Sequence, residues 1–111
     1  MNRIVFISSS QLGSGEPELG EALMQAFLDN LKKVEPPPAA VIFMNTGVHL
    51  AAADAPTVDN LKVLAESGVD ILSCGTCLDY YDLLDDVAVG RVSNMTEIVT
   101  ILANADGVIT P

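Results

Sequence analysis

The chain has 111 residues, half of them apolar, with five Lys and Arg against fifteen Asp and Glu and a formal net charge of −10. This is the length of one domain, residues 1–111, with enough apolar side chains for a core that needs neither a metal nor disulfides to fold. The few, scattered cations argue against nucleic acid or an anionic membrane surface as partner, because both require clustered Lys and Arg.

The first element is a short β-rich run, Ile4 to Ile7, closed by Ser8-Ser9-Ser10. It ends too early for the apolar region of a signal peptide. No apolar run approaches the roughly 20 residues that span a bilayer, so a cytoplasmic protein is expected. Gln11 to Gly15 reads as loop. From Glu16 the period becomes helical, with Leu19, Ala22, Leu23, Ala26, Phe27, Leu31 and Val34 as the expected inward stripe. Pro17 suits the first turn, Lys32 and Lys33 suit the last, and Pro36-Pro37-Pro38 stops the helix. Ala40 to Met44 is a second buried strand, and Asn45 to Pro56 is irregular.

Thr57 is placed to cap a second helix that turns Val58, Leu61, Leu64 and Ala65 inward and stops at Gly68. Val69 to Ser73 is a third strand, and it delivers Cys74-Gly75-Thr76-Cys77. Leu78 to Val87 gives one or two short helical turns with an acidic surface. Ala88 to Val92 offers a short strand. Asn94 and Glu97 have capping-box spacing before a last helix expected to bury Met95, Ile98, Val99, Leu102 and Ala105. Gly107 to Thr110 is the closing strand.

This alternation predicts an α/β three-layer sandwich, a mostly parallel sheet of four to five strands with helices on both faces. Right-handed crossovers then put the loops after Ile7, Met44 and Ser73 at one edge, where open α/β sheets hold their sites. Ser8, Ser9, Gly13, Asn45, Gly47, His49, Gly75 and Thr76 are the candidate pocket residues around Cys74 and Cys77.

Two cysteines three apart in a reducing compartment are reactive or metal-binding more often than structural. The pair can share a proton, form a disulfide, or pass a sulfur atom, and backbone N–H groups at a helix start favour the nucleophilic thiolate. On that argument Cys77 gains more than Cys74. Asp79, Asp82, Asp85 and Asp86 would raise both thiol pKa values if they face the sulfurs, although a solvated acidic face is the plainer reading. A closed zinc site needs four ligands, and one cysteine pair with the lone His49 does not supply them, so no metal is expected. Thioredoxin-type redox would call for a longer helix after the motif. Gly13-Ser14-Gly15 lacks the third glycine of a dinucleotide fingerprint, position 18 being Glu18, so no nucleotide cofactor is expected. Tyr80 and Tyr81 suit a subunit contact.

The segment Val69-Asp70-Ile71-Leu72-Ser73-Cys74-Gly75-Thr76-Cys77-Leu78-Asp79-Tyr80-Tyr81 resembles the DsrE/DsrF-like domain of YedF-type proteins, which are sulfurtransferase-like and linked to selenium metabolism. Phe6 to Ser9, Ile42 to Val48 and Val89 to Met95 are similar to the same family in the same order. The resemblance implies a DsrE-like sandwich that forms oligomers, with a persulfide-carrying cysteine after the third strand, a position Cys74 matches best. YedF-type proteins carry an N-terminal TusA-like domain that this chain does not show, which implies a TusA-like sulfur-carrier partner in trans. The leading expectation is therefore a sulfur-relay protein using Cys74 and Cys77. The alternatives are a non-catalytic oligomeric binding module and a dithiol–disulfide redox protein.

Overall fold

A computed structural model describes residues 2–111. Its strands are β1 (Arg3–Ile7), β2 (Ala40–Phe43), β3 (Asp70–Cys74), β4 (Arg91–Ser93) and β5 (Gly107–Ile109). Its α-helices are α1 (Pro17–Leu31), α2 (Val58–Glu66), α3 (Gly75–Tyr80) and α4 (Met95–Ala103), and a 3-10 helix, Asn45–Ala51, follows β2. The strands form one sheet in the order β4-β3-β2-β1-β5, and every pairing is parallel. β2 lies near the middle, and all four of its residues are buried, as a strand covered on both faces requires.

From β1 to β3 the chain steps across the sheet in one direction, and from β4 it returns to β5 at the far edge. With right-handed crossovers, α1 and α2 cover one face and α4 the other, which gives the three layers. The nearer helices are tied together at the surface. Lys32, the residue that follows α1, pairs with Asp29 of its last turn at 2.9 Å and also donates to Asn60 Oδ1 of α2 at 2.9 Å. The ammonium of Lys32 holds the Asp29 carboxyl below its ordinary pKa.

Three local expectations are corrected. The face that α1 buries is Gly20, Met24, Leu28 and Leu31, whereas Leu19 and Leu23 are 57% and 41% exposed. Both faces of α1 are apolar, and on the buried one Gly20 packs closely against the Gln11 side chain of the preceding loop. In α4 only Ile98 is fully buried, while Met95 and Val99 face solvent. The Thr57 hydroxyl does not cap α2; it donates to the Leu50 carbonyl at 2.7 Å, fastening the end of the 3-10 helix.

At α4 the Asn94 side chain accepts the Glu97 N–H at 2.9 Å, as the spacing predicts. The Glu97 carboxylate does not complete the box. It binds Arg91 and the Ser93 hydroxyl, and Arg91 also makes a two-point contact with Asp70. Arg91 first, then Ser93, holds the Glu97 carboxyl below its usual range.

Candidate functional site

In an all-parallel sheet the strands β1, β2 and β3 end at the same edge, and the loops there are bound to each other. The Met44 N–H donates to the Ile7 carbonyl at 2.9 Å, and the Ser10 N–H donates to Thr46 Oγ1 at 3.1 Å. Gly47 permits this close approach, because a Cβ at that position would run into the Ile7 carbonyl oxygen. Between Met44 and Thr46 the chain turns through Asn45, whose φ of 54° lies in the left-handed region. Asn tolerates that conformation better than most residues, and Asn45 Oδ1 accepts the Thr46 N–H at 2.8 Å.

β3 ends at Cys74, and α3 begins at the next residue, three positions earlier than the sequence pattern alone places a helix. Cys74 is 2% exposed and stands in register beside Ser93 of β4. Gly75 keeps this junction tight, since a Cβ there would lie 2.9 Å from the Ser93 carbonyl oxygen. One turn on, Cys77 is half-buried. Its sulfur accepts the Asn45 N–H at 3.1 Å, and its thiol donates to Met44 Sδ at 3.7 Å. Both cysteines are free thiols.

Asn45, Thr76, Cys77, Tyr80 and Tyr81 line an open recess of about 400 Å³. The Tyr81 hydroxyl reaches Asn45 Oδ1 at 3.5 Å, and its ring stands 4.7 Å from His49 and 5.1 Å from Tyr80. Burial pushes the Cys77 thiol above its ordinary pKa, the neighbouring Cys74 sulfur adds to the rise, and the Asn45 N–H works against it. Asp79, Asp82, Asp85 and Asp86 are all exposed and play no part in that shift.

The edge does not bring every candidate residue to the sulfur. Ser8 is exposed, Ser9 Oγ accepts the Gln11 N–H, and Gly13 stands clear of neighbours at a φ of 85°. Gly47 is buried within the 3-10 helix, against the Ile7 carbonyl at the end of β1. His49 lines a second, larger cleft of about 540 Å³ with Ser10, Gln25, Leu50 and Asp86, so the tilted His49–Tyr81 ring pair stands between the two hollows. Tyr80 and Tyr81 in the recess wall, and Met44 against the Cys77 sulfur, are partners that sequence reasoning did not assign to this site. For Tyr81 a signal exists, its position four residues after Cys77. Among the described residues no group of three or more His, Cys, Asp or Glu could hold a metal ion, and no helix is long and apolar enough to cross a membrane.

A wholly parallel α/β sandwich with a dithiol where β3 passes into α3 defines a class of small thiol-bearing domain. Within that class the chain belongs to the DsrE/DsrF-like family, whose sequence profile it matches over residues 3–111, a family of the sulfur-relay type. The fold is shared with YchN of E. coli (TM-score 0.75, 17% identity, all of both chains covered). It is shared also with MTH1491 of Methanobacterium thermoautotrophicum, a protein of unknown function (TM-score 0.71, 22% identity, all of both chains covered). A third similar structure is BT1422 of Bacteroides thetaiotaomicron, likewise of unknown function (TM-score 0.70, 14% identity, 99% of this chain and 95% of that one covered). No curated protein matches the chain.

Proposed function

We propose that this protein is a cytoplasmic sulfur carrier that takes a sulfur atom onto Cys77, with Cys74 as the second thiol behind it. The observation that carries the reading is the Cys77 sulfur in the wall of an open recess, 3.1 Å from a backbone N–H, while Cys74 is 2% exposed. The resemblance to YedF-type proteins favours Cys74 as the carrying residue. Accessibility favours Cys77 for the first encounter with a partner. The same resemblance supports an association with selenium metabolism and a TusA-like donor.

In the proposed transfer, the Cys77 thiolate attacks the outer sulfur of a partner's persulfide. The donor's S–S bond breaks, a new one forms on Cys77, and the partner cysteine leaves as a thiolate. Nothing is oxidised or reduced overall, and the proton lost by Cys77 ends on the partner. Sulfur then passes to an acceptor thiolate by the same exchange. Alternatively, Cys74 attacks the inner sulfur and releases hydrosulfide, leaving a Cys74–Cys77 disulfide that an external dithiol must reduce.

Incubation with a persulfide donor, followed by mass spectrometry in reductant-free buffer, tests this. The expected result is a gain of one sulfur atom, retained in Cys74→Ser and lost in Cys77→Ser. No sulfur on either cysteine would overturn the sulfur-carrier reading, and retention in Cys77→Ser with loss in Cys74→Ser would move the role to Cys74. The exposed apolar positions Leu19, Leu23, Met95 and Val99 favour a second reading, a homo-oligomeric binding module. That reading requires partner binding to be untouched when both cysteines become serine.

A further inference from the structure

A sulfur that alternately gains and loses a neighbour must carry negative charge for part of its cycle. At Cys77 no Lys or Arg among the described residues lines the recess to meet that charge. The groups that face the sulfur are few. Cys74 comes from β3, Met44 and Asn45 from the turn after β2, and Thr76, Tyr80 and Tyr81 from α3, with His49 one ring further away behind Tyr81. Met44 offers only a thioether, a partner for the neutral thiol's proton and not for an anion.

The groups that donate to the sulfur are main-chain ones, the Asn45 N–H first and the N–H of Cys77 itself after it. The Asn45 N–H points at Cys77 Sγ from 3.1 Å, and the direction of that bond is fixed from several sides. Asn45 holds a left-handed φ as the chain leaves this amide, and its side chain closes on the Thr46 N–H. Thr46 is held in turn by the Ser10 N–H, and Met44 by the Ile7 carbonyl. An N–H fixed in this way gains far more from an ionised acceptor than from a neutral one, and costs no reorganisation when the charge appears.

We infer that the main-chain N–H of Asn45 is a dedicated donor to the sulfur anion of Cys77, and that residue 45 is shaped by the need to hold this amide in a left-handed turn. The inference rests on the sulfur-carrier reading only for its purpose; the hydrogen bond itself does not depend on sulfur transfer. The Cys77 thiolate is the same species before sulfur arrives and after it has been handed on, so one donor serves both halves of the cycle. A turn that merely reverses the chain after β2 would not require the sulfur and the amide to sense each other.

Two measurements on the full chain test this. In an ¹⁵N-edited NMR titration of the reduced protein, the Asn45 amide proton should move downfield in step with ionisation of Cys77, and that step should vanish in Cys77→Ser. An Asn45 amide that stays still while Cys77 titrates would overturn the inference. In the second measurement, Asn45→Gly keeps the N–H and adopts the left-handed turn freely, whereas Asn45→Ala keeps the N–H but disfavours the turn. Alkylation of Cys77 at neutral pH should stay within about two-fold of the parent in Asn45→Gly and slow about ten-fold in Asn45→Ala, the size of one pKa unit. Equal rates in all three chains would overturn it. Because neither readout needs a sulfur donor, a failed sulfur-loading experiment and a failed amide titration point to different errors.

Discussion

At Cys77 two effects oppose each other: burial and the adjacent Cys74 sulfur hold the proton on, and the Asn45 N–H favours its loss. The net direction is upward, so the resting residue is a thiol at neutral pH. Its alkylation by iodoacetamide should rise roughly ten-fold per pH unit and keep rising beyond the ordinary thiol range. Replacing Cys74 by Ser removes one of the causes, so Cys77 should then alkylate faster at neutral pH; an unchanged rate would show that the two sulfurs do not interact. The sign for stability follows from the same shift. The folded chain keeps a proton that the unfolded chain has already released. This contribution to stability is therefore complete below the unfolded thiol's pKa and is lost as pH climbs through the folded one.

At the scale of elements, the strands were legible because parallel strands covered on both faces read as unbroken apolar runs, as in Ala40 to Phe43. The cap at Asn94 was legible because its partner is three residues away. Asn94→Ala should cost about 1 kcal/mol in a urea titration, because the Glu97 N–H loses its acceptor. The face of α1 was not legible, since Leu19 and Leu23 compete with Met24 and Leu28 and only the sheet decides between them. The 3-10 helix from Asn45 to Ala51 has no strong amphipathic period, so its sequence resembles loop. The Asn45–Cys77 contact was hidden for a different reason. Its donor is a main-chain atom 32 residues from the sulfur, and the two meet only because β2 and β3 pair in register. Gly47 shows the same dependence: it was a candidate pocket residue, and in the fold it lies buried against the end of β1. Gly47→Ala should lower stability by about 1–3 kcal/mol, read as a fall in the urea midpoint, because the obstructing atom is backbone.

For the whole molecule, a net charge of −10 opposes self-association, yet α1 and α4 each turn large apolar side chains outward. Such faces are stable in an acidic monomer only if association covers them or if they are dispersed enough to be tolerated. The oligomeric reading predicts a particular result. Met95→Lys with Val99→Lys should reduce the mass measured by light scattering while leaving the melting temperature within a few degrees, since both residues are more than half exposed. A native mass equal to one chain in the parent protein would remove that reading.

The parallel pairing of β5 with β1 also decides where anything attached to this chain would start. β1 begins at the edge opposite the thiols, where the Asn2 N–H meets the Asp106 carboxylate at 2.7 Å. β5 runs alongside β1 and therefore delivers the last residues to the thiols' own edge, three strand positions from β3 and so roughly 14 Å along the sheet. A tag or fused partner placed before residue 2 leaves the approach to Cys77 open. The same attachment after Pro111 sets out from the side on which a sulfur donor must dock.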